Sequence, residues 1–178
     1  MKSALLSVLL LIAVDGFAQE PPSTKCRNLR DEADAAIDRL SPASRDNPDG
    51  TAVTAIKTLF KDCAEYKVDV RYQDELTKAE EKWAQHFFDL AMYYVGTYKK
   101  AGTGFAGAES RFRQIVADFP NFSRIDETLY LLGRLYFEKG QLKDAKLHLL
   151  EVTSNHKTSP FAFESQVLLD RIAYQQKK

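Results

Sequence analysis

The chain has 178 residues, of which 44% are apolar and 11% aromatic, and its 25 basic side chains are balanced by 25 acidic ones. This balance leaves no surplus of positive charge for nucleic-acid phosphates or anionic lipid head groups, so neither is expected as a partner. The apolar content can bury a core against chain entropy, which excludes a chain that is disordered throughout. The length predicts one ordinary domain.

The first 18 residues have the pattern of a secretory signal peptide. Met1-Lys2 is followed by an apolar run over residues 4–14 and then by Gly16-Phe17-Ala18, an order typical of such peptides. The apolar run spans only about 16 Å as a helix, too short for a hydrocarbon core of about 30 Å. Because no cysteine precedes Cys26, no lipid-acceptor cysteine is expected. The sequence therefore predicts an exported chain with no transmembrane segment once the signal is removed.

Residues 19–71 are predicted to form a helical hairpin followed by a linker. Apolar side chains recur at helical spacing over 24–40 and again over 51–66, and each set lines one face of a helix. The loop between them is rich in Pro, Gly, Asp and Asn, and Thr51 is expected to cap the second helix. Residues 67–72 alternate between apolar and polar but have no second strand to pair with, so we predict a linker there.

The two cysteines of the chain are expected to form a disulfide. Cys26 falls in the first turn of one predicted helix and Cys63 in the last turn of the next, and these turns face each other in an antiparallel pair. In an exported chain such an even pair favours a bridge, although two separate buried thiols remain an alternative. A Cys/His metal site is not expected, because His86, His148 and His156 show no ligand spacing to either cysteine.

Five further helices are predicted in residues 72–178, each with apolar residues at helical spacing. They cover residues 73–100, 103–119, 123–139, 142–155 and 159–175. No strong β pattern is present, so the predicted class is all-α. The short connections favour antiparallel packing of neighbouring helices.

Residues 89–125 and 126–162 repeat each other at a spacing of 37 residues. The matched pairs are Tyr93 with Tyr130, Gly96 with Gly133, Ala108 with Ala145, and Phe112 with Leu149. In the second copy, Leu129, Leu132, Gly133 and Tyr136, followed by Ala145, resemble the tetratricopeptide (TPR) pattern. The resemblance implies antiparallel helix hairpins stacked as a short right-handed solenoid. The last helix would then be a cap or the first helix of a third unit.

The stretch from about Phe87 to Ile172 is similar to the TPR region of the BamD family of outer-membrane assembly lipoproteins. Residues 92–96, 112–120 and 128–140 carry the similarity, together with Asp144-Ala145. Soluble periplasmic TPR proteins of the CpoB kind are similar over the same segment. Both resemblances imply a periplasmic scaffold that holds a peptide or protein partner of the cell envelope, without catalysis or a cofactor. The first also implies a role in outer-membrane protein assembly and contact with that membrane through partners.

A partner-binding surface follows when the repeat register is placed on helix faces. We take Gly96 and Gly133 as the points where the two helices of each unit cross. Three residues from each first helix then project toward the concave side, namely Tyr93, Thr97 and Lys100, and Tyr130, Arg134 and Phe137. The resemblance to TPR proteins implies that this side contacts partners, and Tyr and Arg are enriched in interface hot spots. The alternative is that the aromatic side chains pack between units.

No enzymatic interpretation finds support in the sequence. The glycine-rich segment 101–107 has the composition of a phosphate loop, but it joins two predicted helices and lacks a preceding strand and a Lys-Ser/Thr ending. No nucleophile with a nearby base can be identified, so we expect no catalytic residue, metal or cofactor. Two alternatives to the scaffold stay open. One is a small structural subunit of a larger envelope or secreted complex that makes contact through outer faces, and the other is a secreted hydrolase or metal protein with a hidden site.

Overall fold

The computed structural model describes residues 22–40 and 50–177, and there the chain is all-α, as the sequence predicts. These ranges contain seven α-helices, which are in chain order α1 Thr24–Arg39, α2 Thr51–Asp62, α3 Val70–Ala101, α4 Phe105–Asp118, α5 Ile125–Glu138, α6 Leu142–Asn155 and α7 Ala162–Gln175. A 3₁₀ turn, Ala64–Val68, precedes α3. None of the helices in these two ranges is long and apolar enough to cross a bilayer. The predicted signal peptide lies outside the described residues.

Helices pack mainly against their neighbours in the chain. The most extensive pairings join α5 to α6 and α3 to α4, followed by α1 with α2 and α6 with α7. Successive hairpins also touch, since α2 packs on α3 and α4 packs on α5. From α3 onward the connections are short, which favours antiparallel packing of consecutive helices. Apolar faces are therefore buried in sequential order along the chain.

A disulfide closes the open end of the α1–α2 hairpin. Ser23 caps α1, because its hydroxyl accepts a hydrogen bond from the Cys26 N–H at 3.2 Å. Cys26 is bonded to Cys63, the residue directly after α2, and their Cα atoms are 5.8 Å apart. Both cysteines are buried beside Ile56 and Leu59 of α2. The bridge predicted from the sequence is present in the structure.

The start of α2 differs from the prediction. The N-cap is Gly50, with φ of 67°, and Thr51 is the first helical residue. A Cβ at Gly50 would overlap the ring of Trp83. Glycine is therefore required here both for the left-handed backbone and for the close approach of an aromatic ring.

The start of α3 also differs, because residues 70–72 belong to the helix and not to a linker. Asp69 caps it by accepting a hydrogen bond from the Arg71 N–H at 2.9 Å. Tyr72 is 2% exposed, and its hydroxyl donates to Asp34 of α1 at 2.9 Å. Burial and this hydrogen bond raise the pKa of Tyr72 above its ordinary value. The first turn of α3 is thus fixed to α1.

The 32-residue helix α3 serves both halves of the molecule. Near its start, Tyr72 and Ala79 pack into the apolar clusters of the α1–α2 hairpin. Farther along, Phe88 and Ala91 belong to the larger core formed with α4 to α7. Trp83 lies between these regions and packs against both. The predicted division between residues 71 and 72 therefore falls inside a continuous helix.

The 37-residue repeat is visible in the packing and extends to a third helix. One set of equivalent positions on α3, α5 and α7 holds small side chains that are all fully buried, namely Ala91, Thr128 and Ser165. A second set holds larger buried side chains, namely Val95, Leu132 and Leu169. On α4 and α6, the pairs Ala108 and Ala145, and Phe112 and Leu149, have no exposed surface. Helix α7 therefore repeats the burial pattern of α3 and α5.

Of the two predicted crossing points, Gly133 is confirmed and Gly96 is wrong. A Cβ at Gly133 would lie 2.7 Å from Leu149 Cγ and 3.3 Å from the Ala145 carbonyl oxygen, so α5 and α6 approach closely there. A Cβ at Gly96 would meet nothing within 4 Å. In the first unit the close contact comes from α4, where a Cβ at Gly107 would lie 2.7 Å from the ring of Tyr94. Helix α4 therefore lies over a different face of α3 from the one that contains Gly96.

Candidate partner-binding surface

Two of the three predicted binding residues of α5, Tyr130 and Phe137, contact α7 or the residue before it. The ring of Tyr130 stacks on Phe161, with centroids 5.2 Å apart and planes inclined by 19°. The Arg134 guanidinium lies 5.5 Å from the centre of the Tyr130 ring, and Phe137 is half-buried below the guanidinium of Arg171 at 6.0 Å. The aromatic rings thus take part in packing between α5 and α7, as the alternative interpretation allowed.

Helix α7 adds residues to this surface that the sequence prediction omitted. A groove of about 390 Å³ is lined by Val167, Asp170, Arg171, Tyr174 and Gln175. Val167 and Tyr174 are 41% and 64% exposed. Counting a further 37 residues from the three α5 positions gives Val167, Arg171 and Tyr174. The same repeat, applied a third time, would have identified them.

The three predicted residues of α3 form a separate group. Tyr93 is 70% exposed, and its carbonyl oxygen accepts a hydrogen bond from the Thr97 hydroxyl at 3.1 Å. Lys100 is exposed in the last turn of the helix. The six predicted residues therefore divide into two groups. In the α3 group Tyr93 and Lys100 are exposed and Thr97 is half-buried, and in the α5 group the two aromatic rings contact Phe161 and Arg171.

A polar cluster joins α4, α5 and α6. The Tyr136 hydroxyl donates to Glu109 at 2.9 Å, and Arg113 lies 3.7 Å from the same carboxylate. Burial and the bond to Glu109 raise the pKa of Tyr136 to about 12. His148 stacks on Tyr136 at 5.7 Å, and burial lowers the pKa of this imidazole. These contacts hold three helices together, and the tyrosine remains protonated at neutral pH.

A second groove, of about 490 Å³, opens where α2 meets the end of α4. Trp83 and Phe119 form its apolar floor, with ring centroids 5.4 Å apart, and Lys57 and Lys61 of α2 stand at its edge. The Lys57 ammonium is paired with Glu80 of α3 at 2.7 Å. This groove marks the junction between the hairpin and the repeats.

One cluster of possible metal ligands occurs in the part of the chain that the structure describes, formed by Cys26, Cys63 and Glu65. Both sulfur atoms are bonded to each other. They are therefore not thiolates, and the thiolate is the form of cysteine that binds metals.

Comparison of the chain with protein-family models, curated proteins and solved structures finds no match.

Proposed function

We propose that this chain is a non-catalytic, exported helical-repeat scaffold that binds an apolar peptide segment of a protein partner in the groove on α7. The main support is that Val167, Arg171 and Tyr174 are exposed around a groove of about 390 Å³. These residues follow the three predicted α5 binding residues by one repeat of 37 residues. Exposed apolar surface beside an arginine is typical of protein-binding sites. The repeat packing offers a rigid support for such a site.

The charges around the groove favour a segment that carries a carboxylate. Arg171 makes no salt bridge within the described ranges, whereas Arg134 is paired with Glu138 at 3.7 Å. The carboxylate of Asp170 already accepts a hydrogen bond from the Gln166 amide at 2.9 Å. A guanidinium on an apolar wall binds carboxylates in a bidentate manner. The expected ligand therefore combines large apolar side chains with an acidic residue.

Export is supported by the disulfide and by the predicted signal peptide. Bridged cysteines persist in oxidising compartments and are rare in the cytosol. The resemblance to TPR proteins of the BamD and CpoB kinds favours the periplasm and a partner in the cell envelope, with outer-membrane protein assembly as the proposed context.

The binding proposal can be tested by selecting peptides from a random library with the oxidised mature chain. We expect enriched sequences that pair aromatic or aliphatic residues with Asp or Glu. Val167→Glu with Arg171→Glu should lower affinity for the selected peptides at least about tenfold, because it removes the apolar wall and reverses the charge. Arg27→Glu, an exposed charge reversal on α1, should bind as the unmodified chain does. Undiminished binding by the folded groove variant would disprove the proposal.

A second candidate function is that of a structural subunit that makes contact through the outer face of α6. Leu147 and Leu150 are 65% and 43% exposed on this helix, and they lie on one side of it at a spacing of three residues. Leu147→Glu with Leu150→Glu distinguishes the two candidates. Loss of partner binding by this variant, with binding retained by the α7 groove variant, would favour the subunit.

A further inference from the structure

One face of α3 remains uncovered within the described part of the molecule. It carries Asp89, Met92, Tyr93, Gly96 and Lys100, which recur at spacings of three and four residues and therefore line one side of the helix. Met92 is 39% exposed and Tyr93 is 70% exposed. We call this set the α3 face.

The equivalent face of α5 shows how such a surface is covered. On α5 the corresponding positions include Leu129, 3% exposed, and Gly133, whose α carbon faces Leu149 of helix α6. On α3 the corresponding residues are Met92 and Gly96, and nothing lies within 4 Å of a Cβ added at Gly96. A glycine in the middle of a helix is unfavourable relative to alanine by about 0.5–1 kcal/mol. At Gly133 the close packing of α6 explains the glycine, whereas no contact among the described residues explains the glycine at position 96.

The α3 face has a projection and a hollow three residues apart. Tyr93 extends its ring into solvent, while the absence of a side chain at Gly96 leaves a shallow gap. Consider a second copy of the chain whose α3 helix packs antiparallel on this face. If the twofold axis passes at the level between Tyr94 and Val95, each Tyr93 lies opposite the other copy's Gly96. The same residue pair is then matched twice, as an isologous interface requires.

The charges of the α3 face agree with the same register. Asp89 and Lys100 are equally distant from the axis between Tyr94 and Val95, so each carboxylate lies opposite the other copy's ammonium. Asp89 accepts a hydrogen bond from the Gln85 amide at 2.7 Å on the exposed surface, and neither Asp89 nor Lys100 forms a salt bridge in the described ranges. A parallel pair would instead bring like charges together. Shape and charge therefore select the antiparallel arrangement.

We propose that two copies of this chain associate through the α3 face as an antiparallel, twofold-symmetric pair, with Tyr93 of each copy packed on Gly96 of the other. The pairing uses no residue of the α7 groove, so it is independent of the proposed peptide binding. One helix face is smaller than a standard interface of about 800 Å² per partner, so a weak, reversible dimer is expected.

Sedimentation equilibrium of the oxidised mature chain over a range of concentrations tests the pairing. We expect a monomer–dimer equilibrium in the micromolar range. Gly96→Leu fills the hollow, and Tyr93→Ala removes the projection, so each should weaken association at least about tenfold. Neither change removes a buried contact, so a circular dichroism melting temperature no lower than that of the unmodified chain would verify folding. Phe163→Ala, which removes a 76% exposed ring on α7, is the matched control and should leave the dimer intact.

Charge-reversal variants provide a second and more specific test of the antiparallel dimer. Asp89→Lys and Lys100→Asp should each place two like-charge pairs in the interface and weaken the dimer about tenfold. The double variant restores opposite charges and should recover most of the lost affinity. A purely monomeric unmodified chain, a dimer that persists in Gly96→Leu, or a double variant no tighter than the single ones would each overturn the proposal. Loss of the dimer in Phe163→Ala would do so too, by placing the contact on α7.

Discussion

Gly96 and Gly133 occupy the same position of the repeat but have opposite surroundings. Gly133→Ala should destabilise the fold by about 1 to 3 kcal/mol, because the new methyl group meets fully buried Leu149 and the Ala145 carbonyl. Gly96→Ala should raise the free energy of unfolding by about 0.5–1 kcal/mol, since its methyl group meets open space and the helix loses a glycine. Urea unfolding of both variants at low protein concentration measures the difference. Equal effects would refute the assigned helix contacts.

Ser165 carries the one buried side-chain hydroxyl in the described ranges that has no hydrogen-bond partner. Its repeat equivalent Thr128 is satisfied, because its hydroxyl donates to the Arg124 carbonyl oxygen at 2.8 Å, and the other equivalent is Ala91. Ser165→Ala should therefore raise the free energy of unfolding by about 1 to 3 kcal/mol, because it removes an unpaired polar group and leaves no large cavity. Thermal unfolding measures the sign, and a lower melting temperature for the variant would show that the hydroxyl is paired.

His148 should make the stability of the fold depend on pH. Burial lowers its pKa, Asp144 and Glu151 of α6 act in the opposite direction, and Arg113 of α4 adds to the lowering. The folded chain then holds fewer protons than the unfolded chain between the lowered pKa and the ordinary value of 6.5. The free energy of unfolding should thus be fully maintained above about pH 6.5 and should fall as the pH decreases through this window.

The replacement His148→Phe isolates this effect. A phenyl ring can retain the stacking on Tyr136 but does not titrate. Urea unfolding between about pH 7 and pH 5, above the ordinary range of carboxyl groups, should show a smaller loss of stability in the variant than in the unmodified chain. Parallel pH curves for the two proteins would show that His148 is not responsible.

At the scale of helices, the sequence supported a prediction of every described α-helix with its ends correct to within about four residues. The largest difference is at the end of α2, which was predicted at residue 66 and lies at Asp62. Helical spacing of apolar side chains accounts for this success, since each helix buries one face. The errors fall where a distant contact decides the local structure. Gly50 caps α2 because Trp83 lies against it, and α3 starts early because Tyr72 reaches Asp34 on another helix. No local pattern contains those partners.

The disulfide should stabilise the α1–α2 hairpin. It joins residues separated by 37 positions, and loop-closure entropy for that length gives about 3 to 4 kcal/mol. Reduction, or the double variant Cys26→Ala with Cys63→Ala, should lower the free energy of unfolding by about this amount. Chemical denaturation with and without reductant measures it, and the double variant, which has no disulfide, should be insensitive to reductant. A stability that does not change on reduction would contradict the prediction.

At the scale of the whole molecule, the repeat predicted which α5 residues share one helix face, but it did not predict which helix packs against that face. For Tyr130 and Phe137 the sequence left open a binding surface or packing between units, and they contact Phe161 and Arg171. Periodicity within a helix defines a face, whereas its neighbour depends on how the next helix is placed. The position of α7 was implied by the 37-residue spacing, but the orientation of α4 over α3 was not, because Gly107 replaced Gly96 as the contact.

Trp83 should couple the hairpin to the repeats. Its ring lies 5.4 Å from the rings of both Phe87 and Phe119 and also contacts Gly50. Trp83→Ala should cost about 2 to 4 kcal/mol, somewhat less than for a fully buried ring, because part of the indole is already exposed. Hydrogen exchange should accelerate most in α1 and α2, while α5 to α7 retain their protection. Uniform acceleration throughout the chain would show that the two cores do not separate at this residue.

The continuity of α3 also fixes the rotational phase of one half of the molecule relative to the other. The helix is about 48 Å long at 1.5 Å per residue, and each residue turns it by about 100°. A single residue inserted near Trp83 would therefore swing the disulfide-linked hairpin about a quarter-turn around the axis and away from its contacts. Seven inserted residues, about two turns, would nearly restore the original direction while moving the hairpin about 10 Å outward. In the turn that follows α3, an added Cβ at Gly102 would meet nothing within 4 Å, so changes in chain length are expected to be better tolerated beside Gly102 than in the middle of α3.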